Sequence, residues 1–344
     1  IAMETIAASL SDYLTKEDYD VTINAAGAFM DAYYNGSYST EEALNPSILA
    51  QKPLCDIIAP QDENGTYQLS TPLHLMGFAA IVAGGTGNIN AALVSDIDMA
   101  GKNFTPIGTT IEGTAVRYNG TFDGQGHAID NLTIGSEEIP YGLECSALFN
   151  DIENGTVKNL KVRSTITTSA KYAAGIAGRL RNAKVQNCDV RTVIHTSVDG
   201  DGTHGGIVGV NEAEGTVIEN CFVQTSFIGE KTNSCGGVIG WSSAKDNVKN
   251  CLVINDVKIS TSGCNSISRN NDNCTASNTY FLGVMGDANI GTKIADETIM
   301  KTGELTWKLN GSQPDGAWTQ TLGVDTIPQL FGTDKVWFYG GEYT

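Results

Sequence analysis

Proline and charged residues are both scarce in this chain. Only 8 of the 344 residues are proline and 17% are charged, against roughly 25% charged residues in an ordinary domain. Glycine, by contrast, accounts for 39 residues. Abundant glycine with little proline excludes collagen-like sequences and Pro/Gly linkers, and a hydrophobic share of 41% excludes general disorder. The glycine is therefore expected to serve regular, folded structure.

Basic residues are few as well. Lys and Arg number 21 against 39 Asp and Glu, which gives a net charge of -18. Because so acidic a surface repels phosphate backbones and anionic bilayers, we expect no nucleic-acid partner. No apolar run approaches the roughly 18 residues that a membrane helix needs, so we expect no transmembrane segment.

Two further absences concern metal sites and export. The eight cysteines include no CxxC pair, which argues against a zinc site, and no cofactor is expected apart from the possible Ca²⁺ discussed below. The sequence contains no basic, apolar leader. We expect an exported protein, extracellular or on the cell surface, whose signal lies outside this sequence.

A six-residue segment recurs six times with asparagine at its third position, as in Val157–Val162 and Val185–Val190. A second column of small residues precedes it with a similar spacing, as in Gly205–Gly209 and Gly236–Gly240. The recurring asparagines are Asn131, Asn159, Asn187, Asn220, Asn250 and Asn278. A unit of about 30 residues cannot bury its apolar face alone, so such units stack into a solenoid.

Each unit offers short β-branched strands and no helix-length periodicity. We therefore predict an all-β solenoid, a right-handed parallel β-helix of the pectin-lyase-like type, because crossovers between parallel strands are right-handed. The predicted β-helix covers 61–285 and has a capping helix at 71–83, where Thr71 and Pro72 suit the N-cap and first turn. An N-terminal helical segment is predicted over 1–60 and a C-terminal cap over 286–344.

The repeated asparagines are predicted to be structural. Their position interrupts the period-two pattern of a strand, which requires a bend, and asparagine tolerates the left-handed conformation of a bend. Stacked asparagines also form hydrogen-bonded ladders. Cys188, Cys221 and Cys251 share one interior column, where small buried hydrophobes are favoured over a metal or redox site. Cys235 and Cys264 occupy near-equivalent places in adjacent units and are either bridged or free.

These units resemble a known family. The run Tyr118–Ile134, the GGIVG units and the VxNC units are similar to those of GLUG-motif repeat proteins. Those are exported surface proteins, frequent in Bacteroidetes and found beside IgA-peptidase and adhesin-like modules. The resemblance covers 66–335 and departs from the motif at 146–150 and 265–268, where its glycines are missing. It implies the architecture and an adhesin-like role, and brings no family-wide catalytic residues.

Two groups of residues are candidates for binding. Asp199 and Asp201, with His204, form a loop suited to Ca²⁺ or to an acid/base pair, although Asp and Gly also form solvated turns. The residue after each second-column unit is Asp151, Arg179, Val210, Trp241 and, by extrapolation, Arg269. Arg179, Trp241 and Arg269 would make an outward ridge for sugar stacking or a protein contact, or be ordinary exposed turn residues.

The function predicted from these features is a non-catalytic, monomeric, adhesin-like module that binds or displays glycans, matrix or host proteins. The alternative is a polysaccharide lyase or glycoside hydrolase on the same scaffold. Glycoside hydrolysis requires a pair of carboxylates at a fixed separation, and no adjacent Asp pair is present. A structural spacer is a third possibility. A cleft with three or more convergent Asp, Glu, His or Arg residues would favour the enzymatic function. A smooth face with exposed aromatic residues would favour the binding function.

Overall fold

A computed structural model describes residues 58–110, 115–286 and 289–344. These residues form a parallel β-solenoid of about six turns with very few helices, consistent with a right-handed β-helix, so the predicted fold class is confirmed. Each full turn runs through a short sheet C, a long sheet A and a long sheet B in that order. The predicted helical segment over 1–60 lies outside the described residues except for its last three.

The strands of each sheet follow one another in chain order and pair in parallel. Sheet A contains Tyr67–Leu69, Ala91–Leu93, Thr121–Asp123, Thr156–Lys158, Lys184–Gln186, Thr216–Glu219, Asp246–Lys249 and Cys274–Ser277. Sheet B contains Ile97–Asp98, Ala128–Ile134, Lys161–Thr168, Asp189–Thr196, Phe222–Ile228, Leu252–Lys258, Tyr280–Leu282 and Thr292–Lys293. Sheet C contains Phe149–Glu153, Ala177–Arg181, Val208–Ala213 and Ile239–Ser242.

Short pairs and helices complete the described elements. Two parallel pairs join Cys145–Ser146 to Tyr172–Ala173 and Gly200–Asp201 to Thr232–Asn233. Two antiparallel pairs join Trp318–Thr319 to Gln329–Leu330 and Phe338–Tyr339 to Glu342–Tyr343. The helices are α1 (Pro72–Ala83), α2 (Glu304–Leu309) and the 3₁₀ turns Asn271–Asn273 and Glu297–Met300. No helix among the described residues has the length and apolarity to cross a membrane.

Helix α1 covers the first turn of the solenoid. The Thr71 hydroxyl accepts a hydrogen bond from the His74 backbone N–H at 3.1 Å, which satisfies one unpaired donor of the helix start. The ring of Phe78 meets Tyr118 at 6.0 Å and Phe122 at 5.9 Å between centroids, edge to face. These aromatic contacts attach α1 to the start of the solenoid, where an uncovered core would be open to water.

The asparagine column forms a hydrogen-bonded ladder on one corner of the solenoid. Asn187, Asn220, Asn250 and Asn278 each donate from Nδ2 to Oδ1 of the asparagine one turn before, at 3.0–3.1 Å. All six repeated asparagines have φ between 45° and 55°, the left-handed region that asparagine tolerates better than most residues. Each ladder asparagine thus turns the chain and links two turns.

Asn131 lies outside this ladder. Its Nδ2 donates to Asp98 Oδ1 at 2.8 Å, while Asn159 donates to Asp123 Oδ1 at 3.0 Å. The strand register explains the difference, since Phe122 pairs with Val157 and Ile129 pairs with Val162. The segment that begins at Phe122 is therefore the first one equivalent to the corners of the later turns. At this N-terminal end of the ladder, Asp123 accepts the hydrogen bond of Asn159 in place of an asparagine.

The column of Cys188, Cys221 and Cys251 lies inside the solenoid. All three are fully buried and free, and each thiol lies 3.2–3.3 Å from the carbonyl oxygen two residues earlier. Burial raises the pKa of Cys221 well above its usual value. These thiols pack as small apolar side chains in the slot that Leu160 fills one turn earlier.

The C-terminal residues pack along sheet B as well as beyond its last turn. Thr292–Lys293 adds a strand after Tyr280–Leu282. Trp318 is fully buried, and its indole N–H donates to the carbonyl of Asn250 at 2.8 Å. Lys161 Nζ lies 5.1 Å from the centre of the Phe331 ring. The predicted cap at 286–344 therefore also contacts turns that precede the end of the solenoid.

A buried carboxyl group lies where sheet C turns into sheet A. Asp246 is 5% exposed, and neither of its oxygens has a hydrogen bond of ordinary geometry from a described residue. Burial raises its pKa to about 7, and the nearby Ser242 and Asn211 offset this only in part. Because the folded-state pKa exceeds the unfolded value of about 3.9, the folded chain binds the extra proton between these pH values.

We therefore expect stability to fall as the pH rises from 5 to 8, as Asp246 loses its proton inside the protein. The Asp246→Asn variant should lack this contribution, so its stability relative to the parent should rise by about 3 kcal/mol between pH 5 and pH 8. Urea unfolding of both proteins at the two pH values measures it. An unchanged difference between pH 5 and pH 8 would contradict the assigned titration.

Candidate functional site

Trp241 and Arg269 form the centre of the candidate site. The guanidinium of Arg269 lies 4.9 Å from the centre of the Trp241 ring, a cation–π contact, and Trp241 is 37% exposed. Ile239 pairs with Ser268, so Arg269 stands opposite Gly240, one residue earlier than the repeat spacing predicts. The two side chains meet because Arg269 replaces a glycine and is long enough to reach the neighbouring ring.

Asp201 fixes the guanidinium in place. Arg269 Nη1 donates to Asp201 Oδ1 at 2.6 Å and to Thr203 Oγ1 at 3.1 Å. Lys171 Nζ lies 3.1 Å from the other oxygen of Asp201. Partial burial alone would raise the pKa of Asp201, but the Thr203 hydroxyl and the two cations outweigh it and hold the pKa below the usual value. Asp201 therefore acts as an ionised anchor for Arg269.

Two cavities meet at this pair of side chains. The smaller, of about 250 Å³, is lined by Lys171, Tyr172, Asp201, Thr203, Val210, Trp241 and Arg269. The larger, of about 630 Å³, is lined by Trp241, Ser260, Thr261, Ser262, Gly263, Cys264, Asn265, Arg269 and Gly286. Trp241 and Arg269 line both. The site thus combines an aromatic ring and a fixed cation with a wall of hydroxyl and amide groups.

Arg179 contacts Tyr172 and lines neither cavity. Its guanidinium is 5.1 Å from the Tyr172 ring centre, and it pairs with Glu144 and, at 3.4 Å, with Glu212. Arg179 therefore supports a ring that lines the smaller cavity, while Arg269 supports the ring of Trp241. The predicted ridge is not continuously exposed, because Asp151 is 2% and Val210 4% exposed.

Sheet C carries an ion-pair network that the sequence did not reveal. Arg181 pairs with Asp151 and Glu212, and Arg117 lies 3.0 Å from Glu153 and 3.7 Å from Asp151. Burial raises the pKa of Asp151, opposed by the neighbouring arginines. Since each carboxylate of this network contacts an arginine, its arrangement suits charge balance across adjacent turns better than acid/base chemistry.

The predicted loop of Asp199, Asp201 and His204 is split by the structure. The Asp199 side chain is 81% exposed, with Lys231 Nζ at 3.9 Å. His204 is fully buried, its Nε2 lies 2.9 Å from Thr196 Oγ1, and burial lowers its pKa to about 4. His204 is therefore neutral and structural. Within the described ranges no three His, Cys, Asp or Glu side chains gather to hold a metal, and the Ca²⁺ site stays a prediction.

Several residues of the site carry no signal in the local sequence. Lys171, Tyr172 and Thr203 come from the chain before Trp241, and the turn Ser260–Asn265 comes after it. Contacts such as that between Arg269 and Asp201 join residues 68 positions apart. Only the stacking of turns brings them together, so the local motifs indicated Trp241, Arg269 and Asp201 in two separate hypotheses but not the contact between Asp201 and Arg269.

No protein-family model matches the sequence, and no curated protein matches it. A crystal structure named a "putative immunoglobulin A1 protease" from Bacteroides ovatus is similar in structure. It has 17% identical residues and a TM-score of 0.44, over 79% of this chain and 94% of that one.

Proposed function

We propose that this chain is a binding module of an exported GLUG-type surface protein of the Bacteroidetes kind, and that it binds glycans at the Trp241–Arg269 site. In this proposal the module is monomeric, extracellular or at the cell surface, adhesin-like and non-catalytic. The observation that carries it is the partly exposed ring of Trp241, supported by Arg269 and set between two polar cavities.

The chemistry of the site suits a sugar. A tryptophan ring offers an apolar face and few rotamers, so a sugar ring can stack on it at a small entropic cost. Ser260, Ser262 and Asn265 offer donors and acceptors for hydroxyl groups on one side, and Thr203 on the other. Because Asp201 holds Arg269 before any ligand arrives, the cation needs little further ordering on binding.

The residues that line the two cavities do not favour hydrolysis of a glycosidic bond there. Hydrolysis of a glycosidic bond by acid and base requires two carboxyl groups. Among the residues that line the two cavities, Asp201 is the only carboxylate, and it is paired with Lys171 and Arg269. The lyase or glycoside hydrolase alternative therefore has no acid/base pair in these cavities, and binding is the function that they favour.

Replacing Trp241 with alanine should abolish most glycan binding. Loss of one stacking platform is expected to weaken affinity by at least about tenfold, which corresponds to about 1.4 kcal/mol. A glycan array with the intact chain selects the ligand, and calorimetric titration of parent and variant with that ligand measures the loss. Polysaccharide-degradation assays with the same glycans test the enzymatic alternative.

The matched control is Trp337→Ala, because Trp337 is 53% exposed and lies outside both cavities. It should bind the glycan like the parent. Equal affinity of the parent and Trp241→Ala for every ligand found would refute the proposed site, and release of sugar fragments by the parent would favour the enzyme.

A further inference from the structure

Two thiols lie side by side at the edge of the larger cavity. Gly236 pairs with Asn265 in parallel register, and the residues just before them are Cys235 and Cys264. The backbone N–H of Cys235 donates to Cys264 Sγ at 3.2 Å. Adjacent turns lie about 4.8 Å apart, within the 4.4–6.8 Å that Cα atoms of a disulfide span. The backbone therefore brings the two cysteines within bridging reach.

The two thiols differ in their surroundings. The adjacent Cys235 side chain is the main cause that lowers the pKa of Cys264 to about 7, with further help from the backbone N–H groups of Cys235 and Ser234 and from Arg269, against the opposing effect of burial. The adjacent Cys264 side chain, together with burial, raises the pKa of Cys235. Cys264 is 3% exposed and lines the cavity beside Arg269, whereas Cys235 is fully buried and lines neither cavity. Cys264 is thus suited to act as the nucleophile and Cys235 as the resolving thiol.

We propose that Cys235 and Cys264 form a redox-active dithiol that closes to a disulfide on reaction with a low-molecular-weight disulfide entering through the larger cavity. The thiolate of Cys264 attacks one sulfur of that disulfide, which forms a mixed disulfide and releases one thiolate. Cys235 then loses its proton and attacks Cys264 Sγ, which releases the second thiolate. In sum, two protein thiols are oxidised and one small disulfide is reduced to two thiols.

The column of Cys188, Cys221 and Cys251 provides an internal comparison. Those thiols also stack on adjacent turns and are fully buried. They line neither of the two cavities of the candidate site, and the pKa of Cys221 is raised. Proximity is therefore shared by both groups, whereas a place on a cavity wall and a lowered thiol pKa belong to Cys264, although its side chain is only 3% exposed. The structure predicts that oxidation is selective between the two groups.

The experiment treats the intact chain with oxidised glutathione at pH 8, blocks remaining thiols with iodoacetamide in denaturant, and maps peptides by mass spectrometry without reduction. The expected product is a single linked pair, Cys235 with Cys264, while Cys188, Cys221 and Cys251 are recovered alkylated. The crosslink closes a 29-residue separation and should raise Tm by about 5 °C. A parallel sample of Cys235→Ser should stop at the mixed glutathione disulfide on Cys264.

Two results would overturn the proposal. One is recovery of both Cys235 and Cys264 as alkylated thiols after oxidation, and the other is equal crosslinking within the interior cysteine column. Neither readout involves a glycan, so the outcome is independent of whether the chain binds sugars at Trp241.

Discussion

Replacing Gly206 with alanine is expected to destabilise the protein by about 3 kcal/mol. A Cβ at this position would lie 2.4 Å from the carbonyl oxygen of Gly237 and 2.4 Å from a methyl carbon of Val223. The first contact is with the next turn and the second with sheet B across the core. The Gly237 oxygen cannot retreat without losing its hydrogen bond from the Gly206 N–H, which measures 3.2 Å. Urea unfolding of parent and variant gives the difference.

Gly142→Ala is the matched control for this prediction. Gly142 is exposed, its φ is not in the left-handed region, and a Cβ there would meet only the hydroxyl of Ser169, at 3.5 Å. We expect a change within about 0.5 kcal/mol. Similar effects of the two substitutions would show that the narrow interior near Gly206 is not what requires glycine.

The second large effect concerns the middle of the asparagine ladder. Asn220 donates to Asn187 and accepts from Asn250, both at 3.0 Å, and its φ is 53°. Asn220→Ala removes two hydrogen bonds, worth about 1 kcal/mol each. It also places alanine in the left-handed region, at a cost of roughly 1 kcal/mol. We expect a total destabilisation of about 3 kcal/mol in urea unfolding.

Two glycine variants separate these contributions. Asn220→Gly keeps the left-handed conformation and loses the side chain, so it should be less destabilised than Asn220→Ala. Asn278→Gly removes only the bond to Asn250 at the last ladder position, and its effect should be about half that of Asn220→Gly. If Asn220→Gly were as stable as the parent, the ladder bonds would contribute nothing and the asparagines would serve conformation alone.

The repeat explains why most of the fold could be predicted from the sequence. An apolar residue on either side of Asn159, repeated in later units, indicates both the strands and the corner between them, and Val157, Leu160 and Val162 are all fully buried. The prediction failed in the first unit. Asn131 matches the motif by letters, but the hydrogen bonds of Asp123 and the pairing of Phe122 with Val157 place the corner earlier.

The candidate site was predictable only in part. Periodic spacing brought Trp241 and Arg269 into one hypothesis, although the register is shifted by one residue. It did not indicate Lys171, Tyr172 or the polar turn after Ser260, because these residues lie outside the repeating columns. The sequence also suggested His204 as a partner of Asp199 and Asp201. It could not reveal that this histidine of a glycine-rich loop is fully buried.

By itself, the sequence determined the solenoid, because a 30-residue unit with short apolar strands has no other way to bury its core. The abundant glycine, the left-handed asparagines and the interior cysteine column follow from that architecture. Only the tertiary structure decided which side chains of different turns meet. Arg269 reaches Trp241 and Asp201, and Cys264 reaches Cys235, through the register between turns. That register depends on hydrogen bonds between strands that are distant in sequence, and no single repeat encodes them.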